Sequence, residues 1–348
     1  MEAKRYFKDI SPRAWEHPAD RAALNALKQL PFLDEIIRKL FGLTSEKAYR
    51  LIALSCAVKV SEKQFPKIYR MHNEAAEILD IKPVPEVYVS QNPFLNASAV
   101  GVDNPFVMLN SSMLKTLDDT ELLAVIGHEL GHIKSGHALY KTLLALLINI
   151  SAYMLGGIPQ LALIAIILAL KEWDRKSELS ADRAGLLVIQ ELNPSISLLM
   201  KLAGGNEIGE MNLDEFFKQA EEYESGGDLL DSVFKILNML YQTHPFPVIR
   251  LKELQTWHAS GAYDKIVKGN YAKADGEKVN PFEDIKDAGD NFREEMKRSK
   301  DPLTVMLNDI GEKLDNAGKN VGKQVNDLFQ TIFGGGRKPP EDEPEDKK

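Results

Sequence analysis

Cysteine is nearly absent: Cys56 is the only one in 348 residues, so no intrachain disulfide can form. Set in the apolar run "YRLIALSCAVKV", it is expected to be a buried, inert thiol, which suits a reducing compartment. Positive charge is in deficit, with 43 Lys and Arg against 51 Asp and Glu and a net charge of -8. No basic stripe interleaved with aromatics occurs, which argues against a nucleic-acid partner. The opening residues, "MEAKRYFKDISPRAWEHP", hold no apolar stretch of the length a secretory signal needs before Pro12 interrupts them. Internal repeats of about 20 to 50 residues are also missing, so a repeat architecture is not expected. A cytoplasmic chain fits these absences, with attachment to the cytoplasmic face of a membrane depending on one apolar segment.

That segment, 142–170, reads "TLLALLINISAYMLGGIPQLALIAIILAL" and is interrupted by Gly156, Gly157, Ile158 and Pro159. The break leaves two arms of about 14 residues, each about 20 Å long, short of the roughly 30 Å hydrocarbon thickness of a bilayer. An antiparallel helical hairpin is therefore expected, its apolar tip covered by protein, by a partner, or by one membrane leaflet.

The remaining pattern predicts an α+β chain, mainly α-helical, with a small sheet. Residues 19–60 carry apolar positions at helical spacing, such as Leu24 and Leu27 and then Ile36, Ile37 and Leu40, broken near Pro31 and Gly42. Another amphipathic helix is expected from Glu62 to Leu79. "PEVYVS", "NASAVGV" and "PFVMLN" then predict three strands. Helical periodicity returns in "SSMLKTLDDTELLAVIGHELGHI", with Thr116, Asp118 or Asp119 as its cap. Farther on, Leu303, Leu307, Ile310, Leu314, Val321 and Leu328 step by three, four or seven, an amphipathic seam over 303–332 suited to self or partner association. Gly311, Gly318 and Gly322 weaken it by about 1 kcal/mol each relative to alanine. The organisation expected is an N-terminal helical region over 1–61, a central domain over 62–270 containing the hairpin, an amphipathic helical region over 271–333, and a disordered tail over 334–348.

The chemistry concentrates in "AVIGHELGHIKSGH", residues 124–137. His128 and His132 are i and i+4, so one helical face presents two imidazoles to a single point, as a tetrahedral zinc ion requires. Glu129 lies beside a ligand and can lean over the open coordination position to take a proton from water there. The competing reading is a solvated polar face, but Ala124, Val125 and Ile126 before and Leu130 and Ile133 after imply burial. Two imidazoles and a carboxylate buried there need a cation or hydrogen bonds. A third ligand at the HExxHxxGxxH position would fall on Ala138, with Ser135 at the glycine position, so that class is excluded. His137 is expected to turn about 500° from His132 on a continuous helix, which suits a supporting role, a helix end, or solvent. The hairpin brings "SELSADRAG" alongside the zinc helix, where Glu178 and Asp182 are again i and i+4. Glu178 can complete the ligand set, and Asp182 can accept the far N–H of a ligand histidine and fix its tautomer.

These blocks resemble the gluzincin metallopeptidases that include the CAAX prenyl endopeptidases and the bacterial HtpX-type heat-shock membrane proteases. The resemblance spans about residues 65–260 and rests on "AVIGHELGHIKSGH", "RKSELSADRAG", "THPFPVIR" and "NASAVGVDNPFVMLN". It implies a zincin-like fold with its sheet beside the HExxH helix. It also implies one zinc per chain on His128, His132 and Glu178, Glu129 as general base, Asp182 and Arg175 as supporting residues, and His244 and Arg250 at the reacting centre. Asn96, Ala97 and Ser98 fall on the strand that pairs with extended polypeptide in the family. The multi-span chamber of the prenyl branch cannot be built from this chain. Two other functions compete with a zinc endopeptidase: an adaptor or scaffold with a latent peptidase site, and hydrolysis of a non-peptide substrate.

Overall fold

A computed structural model describes residues 4–28, 32–43, 46–149, 160–225 and 246–274. The centre of the hairpin (150–159), His244, the 303–332 seam and the 334–348 tail lie outside the described residues.

Helices α1 (Pro18–Lys28), α2 (Leu33–Leu43) and α3 (Glu46–Cys56) fill the first helical stretch. Its last residues depart from expectation, because Ala57–Lys59 form strand β1, paired antiparallel with β2 (Val87–Ser90). Cys56 is exposed rather than buried. The reason is local: α3 buries only Ala53, and its neighbours Leu51, Ile52 and Leu54 are each more than half exposed. An apolar run here is surface and not core.

Helix α4 (Pro66–Ile78) starts on a proline whose fixed φ suits a first helical turn. It buries Ile68, Met71, Ala75 and Ile78 in the main apolar core. The three expected strands are β2, β3 (Ala97–Val100) and β4 (Phe106–Asn110), and β1 adds a fourth. Their order is β1-β2-β4-β3, with β2 and β4 parallel and β3 antiparallel to β4 in the register Ala97 to Leu109. Strand β3 is therefore an edge, able to accept a further strand.

After the short α5 (Met113–Thr116) comes α6 (Asp119–Lys134), which carries the histidine motif. Asp118 caps it, accepting from the Thr120 and Glu121 amides, while the Glu121 carboxylate returns to the Asp118 amide. The helix stops at Ser135, and Gly136 turns the chain at φ +73°. Then follow α7 (His137–Asn149), the 30-residue α8 (Gln160–Ile189), α9 (Leu192–Gly204), α10 (Leu213–Ser225), α11 (Pro247–Ala259) and α12 (Ala262–Val267). The architecture is α+β and mainly helical.

Among the described residues two large apolar cores hold these elements, and a small cluster of Ala53, Tyr88 and Phe106 joins α3 to the sheet. One core gathers the sheet, α4, α6, α8, α9 and α11, and includes Phe7, Ile10 and Trp15 from the amino terminus. The other packs Leu143, Leu147, Ile166 and Leu170 of the hairpin arms against Leu27, Ile36 and Leu40 of α1 and α2. Protein thus covers one side of the described arms, while Ile148, beside the undescribed centre, is exposed. Among the described residues no helix is long and apolar enough to cross a membrane.

Glycines set the spacing between α6 and α8. A Cβ on Gly131 would stand 2.5 Å from the Ala184 Cβ, and one on Gly185 2.8 Å from the Ala124 carbonyl oxygen. That oxygen belongs to the helix backbone and cannot yield unless the helices separate. Gly185→Ala is expected to destabilise the fold by up to about 3 kcal/mol through overpacking and to weaken metal binding. A denaturant titration reads the first effect, and an unchanged midpoint would contradict the close-approach account.

Candidate metal centre

Antiparallel packing of α6 on α8 turns two i, i+4 pairs toward each other. His128 and His132 face Glu178 and Asp182, and all four side chains are buried. The Nε2 atoms of His128 and His132 are 3.1 Å apart. Glu178 closes the triangle, with Oε1 3.2 Å from His132 Nε2 and Oε2 3.4 Å from His128 Nε2. Tetrahedral bonds of about 2.0 Å give ligand-to-ligand edges of about 3.3 Å. The triangle therefore fits one divalent ion, and its nitrogen and carboxylate donors suit a borderline dication.

Each imidazole is aimed by its other nitrogen. The His128 Nδ1–H donates to Asp182 Oδ1 at 3.0 Å, which turns Nε2 inward. Asp182 is gripped in turn by Arg250, whose Nε donates to Oδ2 at 2.7 Å and whose Nη2 donates to Oδ1 at 2.6 Å. Arg250 Nη1 also lies 3.2 Å from Glu178 Oε2. Helix α11 puts the guanidinium there because Phe246, at φ 60°, turns the chain into a helix that begins on Pro247. Burial alone would raise the Asp182 carboxyl pKa, but Arg250 outweighs it and holds the group below the ordinary carboxylate range. Burial lowers the His128 pKa, yet Asp182 and Glu178 reverse the sign and lift it to about 9. His132 moves well below its ordinary value, through burial and the Lys141 charge. A cation at the triangle competes with the proton on His128.

Glu129 is buried and, with His128, lines a cleft of about 730 Å³ that also reaches Asn96, Ala97, Asp182 and Arg250. Ser98, half-buried, is next along the β3 edge and pairs with Met108. Arg175 forms an ion pair within α8, its Nη2 2.7 Å from Glu172 Oε1. The continuous helix assumed for His137 ends at Gly136, so this histidine opens α7 and returns to the site, its Nδ1 3.0 Å from His132 Nδ1. The surface reading of His137 is overturned, since its side chain is 2% exposed.

Lys141 and Asp174, neither singled out from the sequence, also reach the site. Lys141 Nζ donates to Glu178 Oε1 at 2.7 Å and to Asp174 Oδ1 at 2.6 Å. The signal was present: Asp174, Glu178 and Asp182 repeat every four residues on one face of α8, and Lys141 is a lone charge in an apolar run.

Comparison with known proteins agrees with this geometry. Residues 62–258, more than half of the chain, match peptidase family M48. The chain is 33% identical over 278 residues to the "Plastoglobule-localized metallopeptidase 48, chloroplastic" of Arabidopsis thaliana, covering 78% of this chain and 80% of that protein. It is 31% identical over 158 residues to the "Protease HtpX homolog" of Tropheryma whipplei (strain TW08/27), covering 45% of this chain and 52% of the relative. For the Helicobacter pylori (strain J99) homolog the identity is 28% over 180 residues, with 44% and 57% covered. The chain thus spans about half the length of these two HtpX relatives. A buried two-histidine, one-glutamate triangle beside a glutamate-lined cleft, inside the matched span, leads to one conclusion: the chain belongs to peptidase family M48 and is a metalloprotease.

Proposed function

We propose that the protein is a zinc-dependent endopeptidase in which His128, His132 and Glu178 hold one Zn²⁺ per chain. The observation that carries this reading is a pair of imidazole Nε2 atoms 3.1 Å apart with one Glu178 oxygen 3.2 Å from His132 and the other 3.4 Å from His128, opening on a cleft that contains Glu129. Held by these three residues, zinc would supply Lewis-acid stabilisation of the charge that develops on the scissile carbonyl. Glu129, on the cleft wall, is placed to take a proton from the attacking water and to return it to the leaving amine. Asp182 and Arg250 keep His128 in the donor orientation throughout. An extended polypeptide adds to the β3 edge at Asn96, Ala97 and Ser98, where backbone hydrogen bonds align it without reading its sequence. His244, outside the described residues, retains the role that the family resemblance implies, donating to the developing oxyanion, a contribution of about 2.7–4 kcal/mol for one such donor.

Purified protein is expected to cleave unfolded casein, to stop on treatment with a chelator, and to recover on addition of zinc. Chelator-insensitive cleavage, or none with zinc bound, would refute the reading. The apolar segment 142–170 also supports a site of action at the cytoplasmic face of a membrane. Liposome flotation tests this, and recovery of all protein in the unbound fraction would exclude it.

A further inference from the structure

We infer that Asp20, on α1, is a positioning residue for the metal site, acting through His137 to fix the tautomer of His132. The inference rests on the zinc reading above and extends it to a segment that precedes the matched span of 62–258.

Asp20 Oδ2 is 3.1 Å from His137 Nε2, and His137 Nδ1 is 3.0 Å from His132 Nδ1. A carboxylate at this place only accepts, so His137 donates from Nε2. With His132 Nε2 given to the ion, the ring's hydrogen is on Nδ1 and is donated to His137 Nδ1, which leaves the hydrogen of His137 on Nε2, facing Asp20. The lone pair of His132 Nε2 is then left facing Glu178 and His128. Reversing the chain of hydrogen bonds would put a hydrogen on His132 Nε2 and block coordination.

The surroundings hold the direction. Asp20, His137 and His132 are all nearly inaccessible to solvent, so water does not compete. Asp20 also accepts from Trp173 Nε1 at 3.0 Å and from Ser180 Oγ at 2.5 Å, both on α8, the helix that carries Glu178. The His17 amide donates to the same Ser180 Oγ at 2.9 Å, tying the start of α1 to α8. The ring of His137 meets Trp173 edge-on at 5.5 Å between centroids, which restrains its rotation. His128 and His132 are thus served by parallel devices, one ending on Asp182 and the other on Asp20.

The test is a double-mutant cycle read as zinc affinity, by competition with a chromophoric chelator on the full-length chain. Asp20→Asn keeps the shape but lets an amide donate, which permits the reversed tautomer chain. It is expected to weaken zinc binding about 10- to 100-fold, as losses of ligand-orienting partners do. His137→Phe is expected to weaken it similarly, and adding Asp20→Asn to His137→Phe is expected to weaken it no further. An Asp20→Asn affinity within about twofold of the unmodified chain, or a full Asp20→Asn effect persisting in the His137→Phe background, would overturn the inference. If Asp20→Asn does not fold, His137→Phe alone decides, and unchanged affinity there overturns it. Failure of the unmodified chain to bind zinc would refute the zinc reading and this one with it. Equal binding by the unmodified chain and Asp20→Asn would refute this one alone.

Discussion

Glu129→Gln is expected to lower kcat for casein by about 10²- to 10⁴-fold, the usual worth of a general base, while zinc stays at one per chain. The amide preserves volume and hydrogen-bonding reach but cannot accept a proton at neutral pH. Glu129 is buried at the cleft wall, next in sequence to a ligand histidine yet outside the ligand triangle. Its loss therefore removes proton transfer without removing a metal donor. Steady-state kinetics paired with metal analysis separate the two effects. Retained proteolysis in Glu129→Gln would mean that another group takes the proton, and loss of zinc would mean that Glu129 belongs to the ligand set.

Arg250→Met is expected to destabilise the protein by about 3–5 kcal/mol, the cost of breaking a buried ion pair from one side. The guanidinium is 4% exposed and meets two carboxylates, Asp182 through two hydrogen bonds and Glu178 at 3.2 Å. Methionine fills part of the volume and leaves Asp182 buried with His128 as its remaining described partner. The pH dependence follows from the sign of the Asp182 shift. Its carboxyl is depressed below the ordinary 3.8, so its stabilising share is present above that pH and fades as pH falls through the folded value. Denaturant midpoints of both proteins between about pH 3 and 7 are expected to show the unmodified chain losing its advantage at the acid end. Equal midpoints at neutral pH would contradict the structural role given to Arg250.

Much of this site is legible in the sequence because helices have a fixed period. His128 with His132, and Glu178 with Asp182, each share a face once their segments are helical, and the interrupted apolar run requires a return that lays one pair against the other. The three central strands are legible for a similar reason, since short β-branched runs between Pro, Asn and Gly admit little else. Strand β1 is not, because "CAVKV" continues an apolar helix without punctuation and only pairing with Val87–Ser90 makes it a strand. Cys56 misleads because an apolar run carries no label for the side that is buried. Asp20 is invisible because it meets His137 across more than a hundred residues of chain, and no local spacing encodes that contact. His137 shows how one residue redirects a reading: with φ +73° at Gly136 the helix ends, and a side chain expected to point away returns to the site.

One ion is expected between His128, His132 and Glu178. Anomalous diffraction collected on either side of the zinc absorption edge from crystals of the full chain tests it directly. The account predicts a single strong peak per chain, about 2.0–2.2 Å from both histidine Nε2 atoms and a Glu178 oxygen. A zinc-loaded crystal with its peak elsewhere, or with Glu178 turned away from the two imidazoles, would contradict it.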